Sequence, residues 1–162
     1  MIRWASCSRE VTISAAGCTI GPDAQCQDAP PPDSQTVEAS RLRRLRGRSH
    51  HKNTRIIDYA GELIHNSKTG RREARYLKEG CIWVFRVNRA WSRDAAVDGN
   101  IARFINHSCT PNCWIEIVPM TKTIWIRASR RIDPGDELTY DYATVGDHTI
   151  QCRCRPGCPT VL

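Results

Sequence analysis

The apolar residues of this chain come in short runs, each broken by glycine, proline or charge before it grows long. Arg55-Ile56-Ile57-Asp58-Tyr59 reads as a strand stopped at Gly61-Glu62, and Cys81–Val87 as a β-branched and aromatic strand. Trp114–Val118 and Thr123–Ala128 read as a hairpin turned at Pro119-Met120-Thr121-Lys122. Asp133-Pro134-Gly135-Asp136 is a turn ahead of a further strand at Glu137–Tyr142. Thr69–Lys78, charged and ending at Gly80, reads as helix. A chain punctuated this way is expected to fold as several small sheets with little helix, a mostly β domain. Its 162 residues leave room for one domain of ordinary size and a tail. No apolar run approaches the ~20 residues that a membrane-spanning helix needs, so no membrane partner is expected.

Residues 1–51 are different material. They hold Pro30-Pro31-Pro32, scattered small residues and Arg41-Leu42-Arg43-Arg44-Leu45-Arg46-Gly47-Arg48, with no sustained period, and read as a poorly ordered basic segment. The formal charge of +7 rests on 20 Arg against 4 Lys and favours acidic partners. For nucleic acid, the arginine run implies only nonspecific, salt-sensitive contact.

Nine cysteines are an odd number for a disulfide framework. Cys152-Arg153-Cys154-Arg155-Pro156-Gly157-Cys158 reads better as a set of thiolate ligands. Cys7, Cys18 and Cys26 match no ligand spacing and are expected to be free thiols. The apolar stretch Val11-Thr12-Ile13 is too short for a signal-peptide core, so an intracellular, reducing setting is expected.

The chemistry-bearing segments follow in a fixed order. Gly99-Asn100-Ile101-Ala102-Arg103-Phe104-Ile105-Asn106-His107-Ser108-Cys109-Thr110-Pro111-Asn112 comes first, then Gly135-Asp136-Glu137-Leu138-Thr139-Tyr140-Asp141-Tyr142, then the cysteine tail. Tyr59-x-Gly61-Glu62 and Asp94-Ala95 precede them. In this order and spacing the chain resembles the SET domain of protein-lysine methyltransferases with a post-SET cysteine tail. The resemblance runs from about Lys52 to Cys158. It implies a SET domain over 52–146, a post-SET zinc tail over 147–162, and a C-terminal pseudoknot in which the last strand passes through the Arg-Phe-x-Asn-His-Ser loop.

The resemblance further implies transfer of a methyl group from S-adenosyl-L-methionine to the ε-amine of lysine in a protein, a histone or another basic protein. Such an enzyme would be nuclear in a eukaryote and cytoplasmic in a bacterium. Carried over by motif, Asn106 and His107 grip the adenosine end of the cofactor, and Arg103 holds the loop or touches the cofactor. Tyr142 stands where methyl, amine and hydroxyl meet, and Tyr59 walls the lysine channel. Tyr140 occupies the position that influences how many methyls fit, which suggests mono- or dimethylation. Cys109, Cys152, Cys154 and Cys158 are the implied ligands of one zinc ion, with Cys113 as the rival to Cys109.

The chain also departs from the pattern. No Gly-x-Gly occurs before Gly61, three residues and not four separate Cys154 from Cys158, and Trp83 stands where the family often has Tyr. Loss of the glycine motif would remove part of the cofactor pocket, since only glycine lets backbone approach so closely. The alternative expectation is an impaired SET remnant that serves as a zinc-tied protein-binding module.

Overall fold

The computed structural model describes residues 34–78, 80–144 and 150–162. Helix α1 (Ser34–Arg46) precedes strands β1 (Arg55–Asp58) and β2 (Glu62–His65). A 3-10 turn (Asn66–Lys68) leads into helix α2 (Thr69–Lys78), followed by β3 (Val84–Arg86) and β4 (Trp91–Asp94). A second 3-10 turn (Ile101–Phe104) enters β5 (Asn106–His107); then come β6 (Cys113–Val118), β7 (Thr123–Ala128) and β8 (Thr139–Tyr140). These strands make two antiparallel sheets, β1-β7-β6 and β2-β4-β3, and a parallel pair, β5-β8. The mostly β, small-sheet architecture expected from the punctuated sequence is the one observed.

The β6-β7 hairpin closes through four residues, with Val118 opposite Thr123 and Lys122 at φ 54°. On β7 alternate side chains point inward, and Ile124, Ile126 and Ala128 are fully buried. They pack with Ile105, Leu138, Tyr59 and Tyr140 into the main core. Helix α2 presents Arg72 and Tyr76, four residues apart, to the second sheet. Arg72 Nη1 donates to Asp94 Oδ2 at 2.7 Å and to Glu62 Oε2 at 2.6 Å, and Tyr76 donates to Asp94 Oδ2 at 2.9 Å. Gly80, at φ 70°, ends the helix: its N–H meets the Leu77 carbonyl, and the Cys81 N–H meets that of Tyr76.

The parallel β5-β8 pair joins the 106–112 loop to the last strand. The Ser108 N–H donates to the Tyr140 carbonyl. The Asn112 side chain donates to the Glu137 carbonyl at 2.8 Å and accepts the Thr139 N–H at 2.9 Å. The 106–112 loop is thereby stitched to the last strand on both sides of β8.

Several local expectations are corrected. The arginine run, expected to be poorly ordered and without period, forms the end of α1, with Leu42 only 2% exposed. Two leucines three residues apart among arginines are a weak periodic signal, but both pack against the core. The end of this helix is capped from outside: His50 Nε2 donates to the Leu45 carbonyl at 2.9 Å, and the Gly135 N–H to that of Arg46. The first strand does end before Gly61-Glu62, at Asp58, and Glu62 opens β2 in the other sheet directly after a glycine whose Cβ would collide with the Asp94 carbonyl. The strands expected at Cys81–Val87 and Glu137–Tyr142 shorten to Val84–Arg86 and Thr139–Tyr140. Strand β4 escaped notice because its buried face carries Ser92 and Asp94 in place of apolar residues. Cys7, Cys18, Cys26 and Pro30-Pro31-Pro32 lie outside the described residues, as does the boundary at 146/147. Among the described residues no helix is long and apolar enough to cross a membrane.

Candidate active site

The C-terminal tail folds back on itself, with Ile150 and Leu162 exchanging both backbone hydrogen bonds and the Cys152 N–H donating to the Thr160 carbonyl. This turn-back, with Gly157 at φ 67°, gathers Cys152, Cys154 and Cys158 beside Cys109, which follows β5. Their four Sγ atoms lie within 4.8 Å of one another. Cys109 is 3.6 Å from Cys158 and 3.9 Å from Cys152, and Cys154 is 3.7 Å from Cys158. A tetrahedral ion with bonds of about 2.3 Å sets its sulfurs about 3.8 Å apart. An all-thiolate set of this size and softness fits zinc.

A metal needs thiolates, and the thiols of the cluster differ in how readily they ionise. The backbone N–H and hydroxyl of Thr160 lower the Cys158 thiol to about 6, whereas burial raises Cys152 to about 12. Cys113, the rival ligand, is not in the cluster: it is buried on β6, its Sγ facing Asn112 Oδ1, and burial raises it to about 11.

The tyrosines singled out from the sequence converge. Tyr59, Tyr140 and Tyr142 all line one cavity of about 760 Å³, together with Phe85 and Trp83 and, on the α2 side, Glu73. The ring centroids of Tyr140 and Tyr142 are 4.8 Å apart, those of Tyr59 and Phe85 5.5 Å, and those of Phe85 and Tyr140 6.3 Å. The hydroxyl of Tyr59 donates to the Trp83 carbonyl at 3.1 Å, and that of Tyr142 to the Ile105 carbonyl at 2.9 Å. Burial raises Tyr59 and Tyr140 well above the ordinary phenol range, so both stay neutral through the physiological range.

Arg103, Asn106 and His107 do not line this cavity; they stand beyond Tyr142, on and just before β5. Arg103 donates to the Ala95 carbonyl at 3.1 Å and lies over the rings of Phe104 and Trp83. Asn106 Nδ2 donates to Glu137 at 2.8 Å. His107 accepts the Tyr142 N–H at 3.2 Å, its ring 5.4 Å from that of Tyr142. Burial lowers the His107 pKa from 6.5, so the ring is neutral at pH 7. Tyr142 is thus the wall between a phenol-lined cavity and the β5 segment.

This arrangement agrees with the sequence comparisons. The SET domain model matches residues 47–143. The chain belongs to the SET domain family. It is 44% identical over 118 residues to a histone-lysine N-methyltransferase, H3 lysine-4 specific, of Yarrowia lipolytica, covering 68% of this chain and 10% of that protein. It is 44% identical over 109 residues to histone-lysine N-methyltransferase 2D of Homo sapiens, covering 64% of this chain and 2% of that one. It is 46% identical over 103 residues to histone-lysine N-methyltransferase trithorax of Drosophila virilis, covering 61% of this chain and 3% of that relative. The matched stretch spans a tenth or less of these relatives' length.

Within this SET domain the structure adds residues that the sequence reading passed over. Phe85 tiles the cavity between Tyr59 and Tyr140, and its place in an aromatic strand was the available signal. Asn112 holds β8 in register, and its only signal was membership of the Thr110-Pro111-Asn112 run. Arg72, which seats the cavity-lining helix α2 on Asp94, gave none, although Asp94 itself stood in the Asp94-Ala95 motif.

Proposed function

We propose that this SET domain transfers a methyl group from S-adenosyl-L-methionine to the ε-amine of a lysine in a protein, a histone being the substrate class suggested by the names of its relatives, and that it works in a nucleus. The observation that supports this reading best is the convergence of Tyr59, Tyr140 and Tyr142 on one cavity whose far wall, Tyr142, touches β5. The lysine enters the cavity, and its amine must lose a proton to become a nucleophile. With a pKa near ~10.4, neutralising it at pH 7 costs roughly 4.6 kcal/mol. Desolvation within the slot disfavours the ammonium, and buried Tyr59 and Tyr140 stay neutral and bring no negative charge of their own, whereas Glu73 lines the cavity from the α2 side.

The cofactor supplies, when bound, an electrophilic methyl carbon on a cationic sulfur. The residues present fit that end of the molecule, because the face of the Tyr142 ring attracts a cationic sulfur. Tyr142 would face it, and the β5 backbone around Asn106 and His107 would hold its adenosine end, since those side chains are engaged within the protein. The zinc ion, held by Cys109, Cys152, Cys154 and Cys158, would be structural: four protein ligands close its coordination. Aligning the two reactants is the main catalytic task, worth ~7–11 kcal/mol where attack geometry is held.

Incubating the zinc-loaded protein with methyl-labelled cofactor and core histones should label a lysine, and Tyr142→Phe should lower the rate by about 10²-fold, the scale of losing one positioned hydroxyl. Absence of label on every histone at high enzyme concentration would contradict the proposal.

A further inference from the structure

We propose that His107 is a positioning residue that joins the thiolate cluster to Tyr142, so that metal binding in the tail and order of the lysine slot are one event. The inference rests on the zinc reading above. The Tyr142 N–H points at His107 Nδ1 at 3.2 Å, so Nδ1 presents its lone pair. In a neutral imidazole the proton then sits on Nε2. That atom lies 3.4 Å from Cys109 Sγ, within N–H···S reach. The ring therefore spends one nitrogen on the backbone of residue 142, with Asp141 Oδ1 3.6 Å from the same atom, and the other on a metal-ligand sulfur.

The same connection is braced at both ends. Tyr142 is held at its backbone by His107 and at its hydroxyl by the Ile105 carbonyl, two residues before the imidazole. Cys109 meets Thr160 Oγ1 at 3.2 Å and Cys158 Sγ at 3.6 Å, so the sulfur His107 addresses is also where the tail docks. A donor on a ligating thiolate fixes the direction of its lone pairs and spreads its charge. A metal that draws Cys109 into the cluster draws the imidazole with it, and Tyr142 follows through its N–H.

Three substitutions separate the two hydrogen bonds. Asn places a polar atom near the Nδ1 position, Gln near the Nε2 position, and Phe keeps the ring with neither. Zinc affinity is read by competition with a chromogenic chelator, and the Tyr142 amide is followed by NMR hydrogen exchange. His107→Phe should weaken zinc by ~10–100-fold and speed exchange at Tyr142. His107→Gln should restore zinc affinity but not amide protection, and His107→Asn the reverse. Stripping zinc from the wild-type chain should speed Tyr142 exchange far more than it does in His107→Phe. If the Phe variant does not fold, the opposite profiles of Gln and Asn still decide the matter, and identical profiles overturn the link. Zinc binding by wild type and by His107→Phe within about twofold would overturn this link alone; no zinc binding by wild type would overturn the zinc reading and the link together.

Discussion

Sheet β1-β7-β6 and the tail at 150–162 hold their chains together by opposite means. The sheet buries Ile124, Ile126 and Ala128 completely and needs nothing from outside. The tail is a short turned-back strip whose organising feature is a ring of four sulfurs about one metal's width apart. Apolar burial makes the sheet's order insensitive to redox state and chelators; on the zinc reading proposed above, the tail's order would be conditional on both. Each is joined to the active region, the sheet through the core around Ile105 and Leu138, the tail through Cys109. The slot thus has a permanent wall and a conditional one.

The sharpest way to break this comparison is to remove the metal site. Cys152→Ser, or chelation, should expose residues 150–162 to rapid hydrogen exchange while β6 and β7 stay protected. The accompanying loss of zinc affinity should exceed the ~10–100-fold typical of an outer contact. Equal loss of protection in sheet and tail would show that the two are not separable.

Next in size is the seat of helix α2. Arg72→Leu leaves the fully buried Asp94 carboxylate without its cationic partner and should cost about 3 kcal/mol in denaturant unfolding. The effect belongs to the second sheet and the cavity rim, so zinc affinity should be untouched. Ile126→Val, one methylene out of the first sheet's buried face, should cost about 1 kcal/mol, again with zinc affinity unchanged.

The smallest effect sharpens the sheet's surface. Glu116 sits between Arg55 and Arg127, at 2.8 Å and 3.1 Å, and the Arg55 hydrogen bond lowers its pKa below 4.5. A carboxylate lowered on folding stabilises above its ordinary range and loses that contribution as pH falls through the lowered value. Glu116→Gln should therefore differ from wild type, slightly and salt-dependently, at neutral pH, and the difference should vanish in acid.

How far these features were readable in the sequence follows from what holds each one. The hairpin was legible because Thr123–Ala128 alternates in the way a half-buried strand must. The thiol cluster and the tyrosines were legible as ordered motifs, since ligand and slot chemistry demand particular residue types. Helix α1 was not: Leu42 and Leu45 are masked by arginines, and the helix is capped by Gly135 from a distant turn. Strand β4 was not, because its inward residues, Ser92 and Asp94, are polar and their side-chain partners, Asn66, Arg72 and Tyr76, lie far away in sequence. The double engagement of His107 was hidden for the same reason, since one partner lies two residues away and the other thirty-five. Long-range polar pairing leaves no local period.

The central claim is that a slot walled by neutral phenols delivers an uncharged lysine amine, and the dependence of the transfer rate on pH tests it most directly. With saturating cofactor and zinc in place, the rate should climb with pH along a single limb and level off once the bound amine is neutral. No descending limb should appear in the range where an ordinary phenol would ionise, because burial raises Tyr59 and Tyr140 above it. A bell-shaped profile at neutral pH, or one that is flat from acid to alkali, would contradict the account.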